Sequence, residues 1–321
     1  MTTRTTPDPT ATLAAAPRDP ESGRLGGVGL MLSSGVCAQV GASFAALAFP
    51  VIGPVGVVAI RQWVAGGTLL AVGRPRIRSF TAAQWRLVTA LAAIYAVMNL
   101  SVYLAIARVG LGLAITLEFL GPLTVALAGS RRRVDLGCAL AAGAAVVELT
   151  RPKPSSNYAG IGLALLGATC WACYVLLNQA VGARLPGLQG TAAAAALSSA
   201  AYLPVGAVAL WLRPPTAGTL GYAVAAGVLS SVVPFLTDLL ALRRVAARFF
   251  GLFMSVNPLC AALAGWVVLG QRLDLLSWLA ILVIAGANTV AVAAAGRAAG
   301  ARRSAAADRR DAVTASPSPP G

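Results

Sequence analysis

Ten long apolar stretches follow one another between residues 26 and 295 of the 321-residue chain. Most contain about 20 residues, the length that a helix needs to cross a hydrocarbon core about 30 Å thick. They are continuous and rich in Ala, Leu and Gly, whereas the strands of a membrane barrel are short and alternate in polarity. The sequence therefore predicts an all-α integral membrane protein with ten transmembrane helices. The stretches are Gly26 to Ala48, Val55 to Val72, Leu87 to Ala105, Leu111 to Ala128, Leu136 to Leu149, Ile161 to Asn178, Thr191 to Leu212, Leu220 to Leu242, Phe249 to Leu269 and Leu275 to Ala295.

The composition points to the same class of protein. Hydrophobic residues make up 58% of the chain and charged residues only 11%. A soluble domain of this length would have too few polar side chains to cover its surface. We therefore expect the lipid bilayer to cover the apolar surface.

The basic residues alternate between crowded and sparse connections. Nineteen of the 25 Lys and Arg residues fall in the tails and connections of one side, including residues 74–86, 131–133 and 184. Five fall on the other side, which are Arg108, Arg151, Lys153, Arg213 and Arg272. The positive-inside rule then places both termini in the cytoplasm. Because the net charge of +15 is spread thinly over this side without interleaved aromatic residues, we expect no nucleic-acid partner.

The chain divides into five predicted segments. Residues 1–25 form a cytoplasmic tail without the pattern of a cleavable signal, and residues 26–149 form the first five-helix repeat. Residues 150–160 form an external linker, and residues 161–295 form the second repeat. The tail 296–321, rich in Ala, Arg, Ser and Pro, is predicted to be disordered.

The two repeats are recognised from an ungapped internal match. Residues 103–129 align with residues 239–265 at an offset of 136, with ten identities in 27 positions. Stretches 3 and 4 therefore match stretches 8 and 9, which makes the repeat unit five helices. Since five is odd, the second copy enters the membrane from the opposite side. Inverted repeats are typical of secondary transporters, which hold the substrate near the midplane, although duplication of a purely structural bundle is the alternative.

Three polar side chains fall at a similar depth in the outer half of the predicted bundle: Glu118, Arg61 and Asn99. A carboxylate inside a membrane is costly and normally faces a cavity or a partner. Arg61 could bind a carboxylate, and Glu118 could receive an ammonium group or a proton, so an amino acid would fit this chamber. The alternative is an ion pair between Arg61 and Glu118 that only ties two helices together.

Asp238, Asn257 and Asn178 fall in the inner halves of their stretches. They could form a matching inner chamber, or they could cap helix ends near the cytoplasmic boundary. We favour the cap for Asn178 and leave both readings open for Asp238.

Aromatic and proline residues are the remaining candidates for shaping a pathway. Tyr103, Trp171 and Tyr174 could line it, although membrane aromatics more often pack or form interfacial belts. Pro122 and Pro258 occupy the same repeat position, and we interpret them as paired helix kinks.

No pattern of an enzyme or a metal site is found. Cys170 and Cys173 have the spacing of a redox pair, but they lie inside an apolar stretch, and the chain contains no His. No glycine-rich segment follows a strand as a phosphate loop does. The sequence therefore predicts no cofactor, no metal and no catalytic residue.

Three segments carry a resemblance to a known family: 117–123 (Leu-Glu-Phe-Leu-Gly-Pro-Leu), 60–62 (Ile-Arg-Gln) and 248–258 (Arg-Phe-Phe-Gly-Leu-Phe-Met-Ser-Val-Asn-Pro). The chain resembles the EamA branch of the drug/metabolite transporter superfamily, and within it the threonine/homoserine exporters. The resemblance spans about residues 25 to 295. It implies a bacterial inner-membrane exporter of amino acids or related metabolites driven by the proton gradient, with helices 5 and 10 peripheral to the pathway.

One position departs from that family pattern. The family commonly has Gly-Glu between helices 9 and 10, and this chain has Gly270-Gln271. A role for a carboxylate is therefore not expected there.

The leading hypothesis is a secondary exporter of small metabolites, such as threonine or homoserine, that uses proton antiport and alternating access. An uncoupled facilitator, or an exporter of other amphiphilic metabolites or drugs, is the alternative within transport. A membrane scaffold is the alternative outside transport, although a scaffold needs neither inverted halves nor buried charges. The sequence does not determine the oligomeric state.

Overall fold

The computed structural model describes residues 20–127, 133–149, 157–234, 237 and 256–290. Throughout these ranges the regular elements are helices, and no strand occurs in them. Four of the described helices are long and apolar enough to cross a membrane, and others are shorter but equally apolar. The described chain is thus all-helical, whereas the count of ten spanning helices and their inverted arrangement stay predictions. Asp238, the two tails through residue 19 and from residue 291, and residues 150–156 lie outside the described residues.

The helices are numbered in chain order. The four long apolar spans fall in α1 from Leu32 onward, α2, α6 and α7. The bounds are α1 Pro20–Gly73, α2 Ala82–Val109, α3 Leu111–Glu118, α4 Leu120–Leu127, α5 Arg133–Leu149, α6 Tyr158–Gly182, α7 Gln189–Leu212, α8 Ala217–Gly227 with a π-helical continuation Val228–Val232, α9 Asn257–Leu269 and α10 Leu275–Val290.

The sequence predicts a connection of six residues, 49–54, between stretches 1 and 2, and the structure shows a shorter break. Helical structure runs through this connection, and only Gly53 leaves helical geometry, with φ 69° and ψ 164°. Glycine tolerates this positive φ, and Pro54 has no N–H to continue the hydrogen-bond ladder. The bend therefore needs one residue, and it divides α1 into a first arm before Gly53 and a second arm after it.

The stretch predicted as one helix from Leu111 to Ala128 is divided at Phe119 into α3 and α4. Pro122 lies three residues after the division, and its ring cannot donate to the carbonyl of Glu118. Asn288 of α10 donates a hydrogen bond of 3.5 Å to the carbonyl of Phe119. Pro258 is the second residue of α9, where the first helical turn tolerates proline.

The junction between α2 and α3 is built around a residue of the α9–α10 connection. Gly110 has φ 85°, and a Cβ atom there would lie 2.9 Å from the side-chain oxygen of Gln271. That oxygen accepts a hydrogen bond of 3.0 Å from the backbone N–H of Leu111. Gln271 therefore caps the N-terminus of α3, which explains why a polar acceptor occupies this position.

The packing places a few polar residues within a largely apolar interior and leaves an apolar exterior. Helix α6 packs against α2, α3 and α4, while α1 packs against α7, α8 and α9. Large apolar side chains point outward, and Trp211 is 87% exposed. An outward face of this kind matches a protein surrounded by lipid.

Candidate functional site

A cavity of about 490 Å³ lies between the two arms of α1, α2, α3, α6, α7, the π-helical segment and the start of α9. It extends to Leu188 at the N-terminus of α7. Aromatic rings and polar side chains share its wall. The polar lining residues are Gln39, Arg61, Gln62, Asn99, Glu118, Asn178, Thr191, Ser230, Ser231 and Asn257.

Arg61 is the cation among the described lining residues of this cavity. Its guanidinium donates hydrogen bonds to the side-chain oxygen of Asn99 and, at 3.4 Å, to the backbone carbonyl of Ser230. The guanidinium carbon also lies 5.1 Å from the centre of the Tyr103 ring, within the range of a cation–π contact. The Nε atom of Arg61 has no hydrogen-bond partner among the described residues. These contacts fix the charge at the wall while leaving a donor unused.

The backbone carbonyl that receives Arg61 comes from an irregular segment. Ser230 lies in the π-helix Val228–Val232, where the i→i+5 pattern leaves helical hydrogen bonding less regular. The Ser230 hydroxyl donates to the carbonyl of Ala38 at 3.0 Å, which ties this segment to the first arm of α1. The segment is thus held against α1 with its carbonyl directed at Arg61.

Glu118 is the last residue of α3 and is only 8% exposed, yet it lines the cavity. Glu118 and Arg61 are both described, and they form no ion pair with each other. The hydrogen bonds of Arg61 go to Asn99 and Ser230 instead. Arg61 therefore connects the second arm of α1 to α2 and to the π-helical segment. The Arg61 and Glu118 side chains therefore line one cavity without a direct hydrogen bond between them.

The aromatic candidates differ in their positions. Trp171 lines the cavity and meets Phe119 edge to face, with ring centres 4.6 Å apart. Tyr174 also lines it and packs on Tyr95, with centres 5.6 Å apart. Tyr103 is buried behind Arg61, outside the described lining, and its hydroxyl has no hydrogen-bond partner among the described residues. Tyr103 thus contacts Arg61 rather than the space itself.

The structure does not separate an outer chamber from an inner one in the described residues. Asn257 and Asn178 line the same cavity as Arg61, although the sequence places them in the inner halves of their helices. Asn178 also accepts a hydrogen bond of 3.3 Å from Thr191 of α7. Asp238 cannot be placed, since it lies outside the described residues.

Several polar lining residues were missed from the sequence, among them Gln39, Thr191, Ser230 and Ser231. Gln39 of the first arm is buried, and its side-chain oxygen has no hydrogen-bond partner among the described residues. It is a polar residue within an apolar stretch, the signal that also marked Asn99. A buried acceptor without a partner is costly, which marks Gln39 as a lining residue whose hydrogen bonding among the described residues is incomplete.

A helical membrane protein with an Arg and a Glu around an internal cavity has features that are typical of membrane transporters. The family model of the EamA-like transporter family matches residues 158–292. The threonine/homoserine exporter RhtA of Salmonella typhimurium (strain LT2) is 35% identical over 260 residues, which cover 78% of this chain and 85% of that protein. RhtA of Escherichia coli (strain K12) is 35% identical over 257 residues with the same coverage. The chain therefore belongs to the EamA-like transporter family and is a multi-pass membrane transporter.

One solved crystal structure of a protein resembles the chain with a TM-score of 0.54. It is 20% identical, and the match covers 84% of this chain and 97% of that one. At this identity the likeness shows the fold alone.

Proposed function

We propose that the protein is a secondary active exporter of small metabolites, most specifically of amino acids such as threonine or homoserine. The export would use proton antiport and alternating access in the bacterial inner membrane, with both termini in the cytoplasm. The observation that carries the proposal is the cavity in which Arg61 and Glu118 are both present and not paired with each other. The family membership and the exporter names of the relatives support it.

The lining has the groups that a zwitterionic amino acid requires. Arg61 brings a delocalised charge to the wall of the cavity for the substrate carboxylate. Glu118 and Gln39 are lining residues whose side-chain oxygens are the proposed acceptors for the ammonium group. Asn99 and Asn257 add neutral polar groups for a side-chain hydroxyl. A purely apolar compound would leave these groups unsatisfied, which disfavours it as a substrate.

Proton coupling is assigned to Glu118. It is the acidic residue among the described lining residues, and a carboxyl group can carry one proton. If substrate and proton use the same carboxylate in turn, export of one is tied to import of the other. An uncoupled facilitator would bind the substrate in the same cavity without this exchange.

The helix contacts support the proposed inverted repeat. Packing of α2 on α6 has its counterpart in packing of α8 on the first arm of α1. Gly121 of α4 lies against Ala168 of α6, and its repeat equivalent Asn257 lies against Gly35 of α1. Matched contacts of this kind are expected when two halves are related by a two-fold axis.

The contacts between connections support the proposed sidedness. The side chain of Gln84 donates a hydrogen bond of 2.9 Å to the backbone carbonyl of Arg184, and both residues belong to connections predicted to be cytoplasmic. Gln271 meets Gly110, and Arg213 lies beside Gly53, at connections predicted to be external. Each pair joins segments assigned to the same side.

The test is counterflow in proteoliposomes loaded with one amino acid and given the same labelled amino acid outside, with and without an imposed pH gradient. Threonine and homoserine should show saturable uptake that the gradient changes. Saturable uptake unaffected by the gradient would replace the exporter by the facilitator. Absence of uptake for amino acids and for amphiphilic amines would favour a scaffold.

A further inference from the structure

A second, apolar groove of about 700 Å³ lies at the surface, between the bend of α1 and the second half of α7. None of its described lining residues belongs to the transport cavity. Its lining comes from both sides of the bend and from about three turns at the end of α7. The lining residues are Ile52, Gly53, Pro54, Val55, Pro204, Val205, Val208, Ala209, Leu212 and Arg213.

The wall of this groove faces outward. Val208 is 60% exposed and Leu212 is 73% exposed, and both are large apolar side chains. In a bilayer this face adjoins hydrocarbon, and apart from Arg213 the described lining residues have no polar side chain to hold water. An acyl chain is therefore the ligand that best fits the apolar part of the groove.

Among the described lining residues of the groove one is basic, and it lies at one end. Arg213 follows Leu212, the last residue of α7, and one of its terminal nitrogens lies 3.3 Å from the position a Cβ would take on Gly53. Its side chain makes no hydrogen bond to any described residue. The absence of a side chain at Gly53 lets the guanidinium lie over the bend, at the mouth of the groove.

We propose that this groove binds one anionic phospholipid, with an acyl chain along α7 and the phosphate on Arg213. The basic residue and the apolar groove are arranged like the parts of a phospholipid, which has a charged group at the membrane boundary and a hydrocarbon chain below it. An Arg guanidinium suits a phosphate because its donors form paired hydrogen bonds with the phosphate oxygens. Arg213 also belongs to a connection placed at the external boundary, where the headgroups of one leaflet lie.

The first experiment measures binding of phosphatidylglycerol to the full chain, purified in detergent, by native mass spectrometry. Arg213→Gln should weaken binding of the tightest lipid about tenfold, the effect of a lost charge-assisted hydrogen bond. Arg272→Gln is the matched control, because Arg272 is also an exposed arginine of an external connection but lies outside the groove. Equal weakening by both substitutions would overturn the proposal, since it would indicate a diffuse electrostatic effect.

The second experiment fills the groove. Val208→Trp should displace the tightly bound lipid, whereas Leu203→Trp should not, because Leu203 is 57% exposed on α7 but does not line the groove. Size-exclusion chromatography with both variants reports folding and oligomeric state. Full lipid binding by a folded Val208→Trp variant would overturn the proposal. Loss of a dimer in the Val208→Trp variant with unchanged lipid binding would also overturn the proposal, because the groove would then be an interface between two copies of the chain.

Discussion

The side-chain amide of Gln62 donates a hydrogen bond of 2.7 Å to the hydroxyl of Ser198, and 136 positions separate the two residues. The same offset relates residues 103–129 to residues 239–265. In the proposed inverted repeat, two equivalent residues meet only where the two-fold axis passes between them. The axis would then lie between the second arm of α1 and α7, directly beside Arg61. This position agrees with a substrate site at the centre of the two halves.

The Gln62–Ser198 pair should stabilise the junction of the repeats. Both residues are buried, so Gln62→Leu should leave the Ser198 hydroxyl without its partner and cost about 1 to 3 kcal/mol. The double variant Gln62→Leu with Ser198→Ala should lose less than the sum of the single changes. Thermal unfolding in detergent measures all three variants. Additive losses would mean that the pair makes no specific contribution.

Glu118→Gln should abolish the response of transport to an imposed pH gradient and leave the protein folded. Glutamine keeps the size of the side chain but cannot exchange a proton, and Arg61 retains its bonds to Asn99 and Ser230. Counterflow at several pH values measures the effect, with Asn178→Asp as a control that places a carboxyl group elsewhere in the lining.

The alternative of a structural ion pair makes the opposite prediction. If Arg61 and Glu118 only tied helices together, the double variant Arg61→Gln with Glu118→Gln should recover the transport that Glu118→Gln loses. We expect no recovery, because the substrate would lose both of its charged partners. Wild-type pH dependence in Glu118→Gln would exclude the coupling role.

The cap on α3 should be sensitive to the chemistry of residue 271. Gln271→Leu removes the acceptor of the Leu111 N–H and should cost about 1 kcal/mol of stability. Gln271→Glu keeps the acceptor and should retain stability. Gly110→Ala should be at least as harmful as the leucine variant, because it adds a Cβ at φ 85° against the glutamine oxygen. Unfolding temperatures of the three variants give the comparison, and a tolerated Gly110→Ala would contradict this account.

The sequence locates the helices and the charged members of the site better than it locates contacts. Long apolar runs identify the helices, and isolated polar residues within them identify Arg61, Asn99 and Glu118. Both signals are strong because backbone or charged groups exposed to lipid carry a high free-energy cost. It cannot show that Tyr103 lies behind Arg61, since the two residues belong to different helices and the contact depends on how those helices pack. The role of Gln271 is equally hidden, because its partner is 160 residues away.

The orientation in the membrane is the last prediction, and it rests on the uneven distribution of basic residues. In a background in which the five cysteines are replaced, Arg184→Cys should react with an impermeant thiol reagent only after cells are permeabilised. Arg272→Cys should react in intact cells, since it belongs to the connection that also provides Gln271. Both positions are exposed, so that access is decided by the membrane and not by burial. The reverse labelling pattern would place the termini outside, and it would turn the proposed phospholipid groove at Arg213 toward the cytoplasmic leaflet.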